Sequence, residues 1–235
     1  MEQCRQVTLL GDSILKGIQV DLGSRRYHSQ NEMNVGALES EFQLSIRNDA
    51  HFGATVRKGS RLLDRILERK LPCDLLVMDF GGNDCDFRWK EIAENPDGEH
   101  QPNVPLPEFV EQYREMIRRI RSHGIRPILT NLPPLDSGRF FNWWCWDLDR
   151  EAVLRWLGDV GNIYAWQERY SRAVERLARE ENVPLVDVRG AFLDHGHLEQ
   201  TLCADGTHPN TLGQGLITRA FQDFGRSLRL AGQRI

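Results

Sequence analysis

Five apolar runs of four to seven residues punctuate the chain, at 7–10, 42–46, 74–80, 126–131 and 185–188. The third reads Asp-Leu-Leu-Val-Met-Asp-Phe and the fourth Arg-Pro-Ile-Leu-Thr-Asn; the second is the weakest of the five. Runs this short, rich in Leu, Val and Ile and bounded by turn residues, suit strands buried on both faces. Helical spacing fills the intervals. Phe109, Val110, Tyr113, Met116, Ile117 and Ile120 share one face, and Gly124 stands where that helix would end. Ile163, Trp166, Tyr170, Val174, Leu177 and Ala178 make a second face; Ile217, Ala220, Phe221, Phe224 and Leu228 a third; Leu62, Leu63, Ile66 and Leu67 a fourth. Residues 13–20 read as a further helix directly after the first strand. Strand and helix in alternation predict an α/β domain with a mostly parallel sheet and right-handed crossovers. In such sheets functional groups gather at the carboxyl ends of the strands.

The chain has 235 residues, 40 % of them hydrophobic, which suffices for one core, and no linker divides it, so 1–235 is expected to be a single domain. Two irregular stretches, 23–41 and 83–107, are long enough to be functional loops. Thirty basic and 34 acidic residues leave a formal charge of −4, so nucleic acid is not an expected partner. No run is long and apolar enough for stable membrane insertion. The start, Met-Glu-Gln-Cys-Arg-Gln, lacks the pattern of a secretory leader. Five scattered cysteines without a C-x-x-C pair read as reduced thiols, and a cytoplasmic location is expected.

Four segments fall at strand ends or helix starts. Gly11-Asp12-Ser13 follows the first strand. Ser13 reads as a nucleophile beside backbone N–H groups, or as an N-cap; Asp12 is its neighbour, a candidate substrate contact or itself the cap. Asp205-Gly206-Thr207-His208 places a histidine three residues after an aspartate. That pair reads as a general base with its orienting carboxylate, or as an ordinary loop. Phe80-Gly81-Gly82-Asn83-Asp84 follows the strongest strand, and Asn83 can donate to a developing oxyanion or simply shape a turn. Phe52-Gly53-Ala54-Thr55 offers the Gly53 backbone N–H.

In their order and local sequence these segments resemble the SGNH hydrolases, also called GDSL-type lipases and esterases. The resemblance runs from Gly11 to Asn210; Ile14 stands where the family name has Leu, and the residues around Gly53 match loosely. It implies a three-layer, flavodoxin-like α/β fold around a five-stranded parallel sheet. It also implies a triad of Ser13 as nucleophile, His208 as base and Asp205 as its partner. The oxyanion hole would comprise the Ser13 and Gly53 N–H groups and the Asn83 side chain. The implied reaction is two-step acyl transfer without metal or cofactor, and the expected partner is a small-molecule ester. Short-chain, carbohydrate-acetyl, lysophospholipid and thioester substrates all stay open, as does acyl transfer to an alcohol acceptor by the same triad. A flavodoxin-like small-ligand module is the reading from another class, but it needs a phosphate-binding glycine fingerprint that is absent.

The segment Phe140-Phe141-Asn142-Trp143-Trp144-Cys145-Trp146 follows the fourth strand. Trp143, Trp144 and Trp146 are candidate substrate contacts, as pocket wall or lid; the segment also reads as a contact between copies of the chain, or as core. His195 and His197 beside Asp194 are too few for a metal site.

Overall fold

The computed structural model describes residues 4–21, 24–29 and 35–230. Parts of the 23–41 stretch, residues 23 and 30–34, lie outside the described residues. The chain begins with β1 (Arg5–Gly11), a hairpin of β2 (Ile18–Val20) and β3 (Tyr27–Ser29), α1 (Val35–Phe42) and β4 (Leu44–Asn48). It continues through α2 (Val56–Glu68), β5 (Leu75–Asp79), α3 (Trp89–Glu94), α4 (Leu106–Ser122) and β6 (Arg126–Thr130). Then come α5 (Ser137–Trp144), α6 (Arg150–Leu157), α7 (Gly161–Glu180), β7 (Leu185–Val186), α8 (Val188–His195), α9 (Leu198–Thr201) and α10 (Thr211–Leu230).

Five parallel strands form the sheet, in the order β4-β1-β5-β6-β7. Numbered along the chain this is the flavodoxin-like order 2-1-3-4-5. The apolar runs resolve into two faces. Val7, Leu9, Leu75, Val77 and Ile128 pack on one side with α1 and α10, through Leu38, Phe42, Leu216 and Ile217. Leu10, Leu76, Met78 and Leu129 pack on the other with α2, α4 and α7, through Leu63, Phe109, Met116 and Val174. This period-two alternation inside continuous hydrophobic runs makes the sheet the middle of three layers. Each fully buried side chain of this size contributes about 1.5–3 kcal/mol. A third cluster sits beyond the sheet, where Phe87, Trp89, Ile92, Phe140, Phe141, Val153 and Ile163 join α3, α5, α6 and the start of α7.

The structure departs from the sequence reading in three places. Residues 13–20 form no helix: one turn closes with Lys16 N–H donating to the Asp12 carbonyl, Gly17 takes φ +70°, and the chain enters β2. The β-branched Ile18 and Val20 pair with Ser29 and Tyr27. The second strand is displaced, because Phe42 ends α1 and Gln43, at φ +56°, turns the chain into β4. Every β4 residue is only half-buried and the strand pairs with β1 alone, so its hydrophobic signal is weak. Finally, β7 stops at Val186, because the Asp187 carboxylate caps α8 by accepting from Gly190 N–H at 2.8 Å.

Candidate active site

The strand order reverses between β1 and β5, and a crevice opens at the carboxyl ends there. Ser13 leaves β1 on one side of it, and the loop of Gly81 to Asp84 leaves β5 on the other. Gly11 is required by this closeness: a Cβ on it would lie 3.0 Å from both the Cβ and the carbonyl oxygen of Asp79. The Phe80 N–H donates to the buried Tyr113 hydroxyl at 3.0 Å, which fixes the start of the second loop.

His208 arrives from the loop before α10. Its Nε2 lies 2.9 Å from the Ser13 hydroxyl oxygen, and its Nδ1 lies 2.5 Å from Asp205 Oδ2. The other Asp205 oxygen accepts from the Thr207 and His208 backbone N–H groups, each at 3.1 Å. Ser13, Asp205 and His208 are 5 %, 0 % and 3 % exposed, so this chain of groups is shielded from water. Burial works against a charge on Asp205. The hydrogen bond from His208, the imidazole's charge and the two backbone N–H groups outweigh it, and the carboxyl is held below its ordinary range. The loop itself is pinned by Cys203 N–H donating to the His208 carbonyl and by a bridge between Leu202 and Pro209.

Asp12 and Asn83 face each other behind the serine. Asp12 Oδ1 accepts from Ile14 N–H at 2.9 Å, and Asp12 Oδ2 accepts from Asn83 Nδ2 at 3.0 Å. Asn83 Nδ2 also donates to the Ala54 carbonyl at 3.2 Å. Asp12, 2 % exposed, thus holds the asparagine and the serine turn, and it also lines the cavity beside Ser13. Asp84 Oδ1 accepts from Val56 N–H at 2.8 Å and starts α2. Gly53 lies exposed at φ +66°, and its neighbour Phe52 lines the crevice. Burial pushes Asp84 up to about 7 and Asp79 and Asp86 up to about 6; Asp12 is raised well above the ordinary range by burial and then by the charge of Asp79. The Cys85 thiol is also pushed well up by burial, which makes it a poor nucleophile.

From Ser13 and His208 a cavity of about 140 Å³ runs inward. Phe87, Trp89, Phe140, Trp144, Ile163 and Trp166 supply much of its wall. Two polar side chains on the wall away from the triad are tied to the protein, Gln167 through both amide atoms and Asp86 through Oδ1. Gln167 donates to the Pro133 carbonyl at 2.6 Å and accepts from Arg189 at 3.0 Å, while Asp86 accepts from Trp89 Nε1 at 2.8 Å. Of the three candidate tryptophans only Trp144 lines the cavity. Trp143 and Trp146 face the Arg25 guanidinium, at 4.1 and 4.8 Å from the ring centroids, and Trp146 is 61 % exposed. Sequence reasoning singled out neither Phe87 nor Trp89 within the 83–107 loop, named Phe52 only as the neighbour of Gly53, and read Trp166 as core.

Residues 9–216 match the GDSL-like Lipase/Acylhydrolase family, and the chain belongs to that family. An isoamyl acetate-hydrolyzing esterase of Saccharomyces cerevisiae is 29 % identical over 175 residues, which cover 73 % of this chain and 66 % of the yeast protein, just under two thirds of its length. Among solved structures, a lipase/acylhydrolase from Enterococcus faecalis aligns with TM-score 0.62 and 21 % identity, covering 94 % of this chain and 96 % of its own. An acetylxylan esterase from Geobacillus stearothermophilus aligns with TM-score 0.65 and 20 % identity over 96 % and 97 %. At these identities the structures speak for the fold alone. No helix among the described residues is long and apolar enough to cross a membrane.

Proposed function

We propose that the chain is a serine esterase acting on short, apolar carboxylic esters. The observation that carries this is the buried series Ser13 Oγ, His208 Nε2 and Nδ1, Asp205 Oδ2, with spacings of 2.9 and 2.5 Å. A serine hydroxyl is a weak nucleophile until an adjacent base takes its proton and a third group orients that base. As Ser13 Oγ bonds to the ester carbon, its proton passes to His208 Nε2, and the imidazolium is stabilised by Asp205. The carbonyl oxygen becomes an oxyanion held by the Ser13 and Gly53 N–H groups and by Asn83. Asn83 serves by turning one Nδ2 proton away from the Ala54 carbonyl, the longer of its two bonds. His208 then gives its proton to the departing alkoxide. Water, activated by the same imidazole, releases the acid from Ser13.

The cavity supports the substrate class. A cavity of about 150 Å³ lined by apolar side chains holds a benzene molecule, so about 140 Å³ suits a group of about six non-hydrogen atoms. Gln167 is bonded within the protein through both amide atoms, and the wall around it is largely aromatic and aliphatic, which favours a hydrocarbon flank over a sugar hydroxyl pattern. A long acyl chain exceeds the space. The yeast relative, named for a small branched-chain ester, is of the same kind. Five cysteines scattered without a C-x-x-C pair favour a reducing compartment.

The test is hydrolysis of p-nitrophenyl esters from acetate to laurate by the wild type, Ser13→Ala and His208→Ala across pH. Activity that peaks with short chains, rises as an imidazole loses its proton and disappears in both variants is the expected result. Full activity in Ser13→Ala would remove the serine from the mechanism, and a preference for laurate would remove the short-ester assignment.

A further inference from the structure

Two hollows of the protein meet at one side chain. The cavity that runs inward from Ser13 and His208 has Ile163, Trp166 and Gln167 of α7 in its wall. Outside the same helix lies an open depression of about 440 Å³, lined by Asn162, Ala165, Trp166 and Arg169 of α7 and by Trp156 and Leu157 at the end of α6. Trp166 is the one described residue that lines both. The helix period accounts for this. At 3.6 residues per turn Trp166 stands about 60° from Ile163 and about 60° from Arg169, between the inward and the outward face. It is half-buried, as a ring between a cavity and the surface should be. Phe87, on the cavity side, meets the edge of Trp166 with centroids 5.3 Å apart, and the Arg169 guanidinium lies 4.6 Å from the Trp166 ring centroid on the outer side. Beside this point Phe87 and Trp156 stand in series, at 5.0 Å, so the wall there is two rings deep; at Trp166 it is one.

We propose that Trp166 is a specificity-determining residue that sets the chain-length limit of the site: its indole closes the cavity toward the outer depression, and without it an ester chain runs on into that depression. The proposal rests on the esterase reading above for its substrate. Burying apolar chain against the wall tightens binding about fourfold for each methylene, and that gain ends where the chain meets a closed partition. Beyond the indole, Trp156, Leu157 and Ala165 offer further apolar surface. The limit on chain length is therefore assigned to one side chain, and the total volume of the cavity does not set it alone.

The test compares the wild type, Trp166→Ala and Trp156→Ala in two assays. The first is calorimetric titration with 1-alkanols from butanol to decanol, which needs no turnover. The second is hydrolysis of p-nitrophenyl acylates and of alkyl acetates of increasing length, so that the limit shows on whichever side of the ester the cavity holds. In the wild type the gain in alkanol affinity should stop at about six non-hydrogen atoms. In Trp166→Ala it should continue to decanol, and the ester with the highest kcat/KM should have a chain of about eight carbons or more. Trp156→Ala removes an indole that lines the outer depression alone and should keep the wild-type stop. A Trp166→Ala protein that stops within about two carbons of the wild type overturns the proposal, and so does a Trp156→Ala protein whose limit moves as far as that of Trp166→Ala. If Trp166→Ala does not fold, Trp166→Leu is read in its place, and an unmoved stop there overturns the proposal. A wild type without hydrolysis, but with an alkanol stop that Trp166→Ala lifts, would remove the esterase reading and keep the limit at Trp166; hydrolysis that needs Ser13, beside an unmoved stop, would do the reverse.

Discussion

Asp84 is fully buried, and folding raises its carboxyl from 3.8 to about 7, chiefly through desolvation. Between those values the folded chain holds a proton that the unfolded chain has released. Stability associated with Asp84 is therefore complete below pH 4, declines as pH rises, and levels off above about 7. At ~1.4 kcal/mol for each pH unit, the full loss is about 4 kcal/mol, and the part falling between pH 5 and pH 8 is about 3 kcal/mol. Asp84→Asn removes the ionisation and keeps an oxygen for the Val56 N–H. The amide replaces a carboxylate oxygen, Oδ2, that has no hydrogen-bond partner among the described residues. At pH 5 the wild-type carboxyl is neutral too, so the exchange there costs about 1 kcal/mol, for the amide N–H group placed where Oδ2 has no partner. The variant should thus be slightly less stable than the wild type at pH 5 and more stable by about 2 kcal/mol or more at pH 8. Urea unfolding at both pH values, with free energies extrapolated to water, measures the difference directly. An equal offset between the two proteins at pH 5 and pH 8 would refute the reasoning, since it would mean that Asp84 does not exchange its proton on folding in this range.

Asn83→Ala removes the proposed side-chain oxyanion donor; kcat for p-nitrophenyl acetate should fall about a hundred- to a thousandfold with a much smaller change in KM. Gly206→Ala should destabilise the protein by about 2–4 kcal/mol, because the residue sits at φ +71° and its Cβ would meet the Asp136 carbonyl at 2.5 Å. Gly196→Ala, at φ +66° with nothing within 4 Å, isolates the backbone part and should cost only about 1–2 kcal/mol in the same thermal unfolding assay. Ile163→Ala removes three carbons from the cavity wall near Trp166; the preferred ester in a chain-length series should lengthen by about two or three carbons.

The strands β1, β5 and β6 were legible because each is buried on both faces, which leaves an unbroken apolar run. The edge strand β4 was displaced in the sequence reading because half-burial permits Leu44-Ser45-Ile46-Arg47-Asn48, a pattern that barely differs from a loop. Residues 13–20 looked helical because Ile14, Leu15 and Ile18 have helical spacing; all three are buried, but in a turn and a strand. Ser13, Asp205, His208 and Asn83 could be picked out because each belongs to a short motif beside a strand end. The cavity could not, since Phe87, Trp89, Trp144 and Trp166 come from four different stretches and meet only in the fold. The aromatic segment held one usable signal. Phe140 and Trp144 are four apart and share a helix face, and that face is the cavity wall. Trp143 lies about 100° around the helix and meets Tyr27 instead.

The proposed oxyanion site has three buried carboxyl groups behind it, Asp12, Asp79 and Asp84. Were all three ionised, their charges would oppose the oxyanion in a region from which water is excluded, where charges act strongly. Burial resolves this, because it raises all three and extends the pH range over which each stays neutral. A neutral carboxyl still serves the architecture. Asp12 accepts from Ile14 and Asn83 and Asp84 from Val56, each tying the loop after one strand to another segment, while Asp79 accepts from Thr130 at 2.7 Å and ties the end of β5 to the end of β6. Asp205 is the contrasting case. It is as deeply buried, yet His208 and two backbone N–H groups hold its charge in place. Under the proposed mechanism the same residue type thus serves two ends: burial raises the carboxyls behind the oxyanion site, while His208 and two backbone N–H groups hold the charge of Asp205 beside the imidazole.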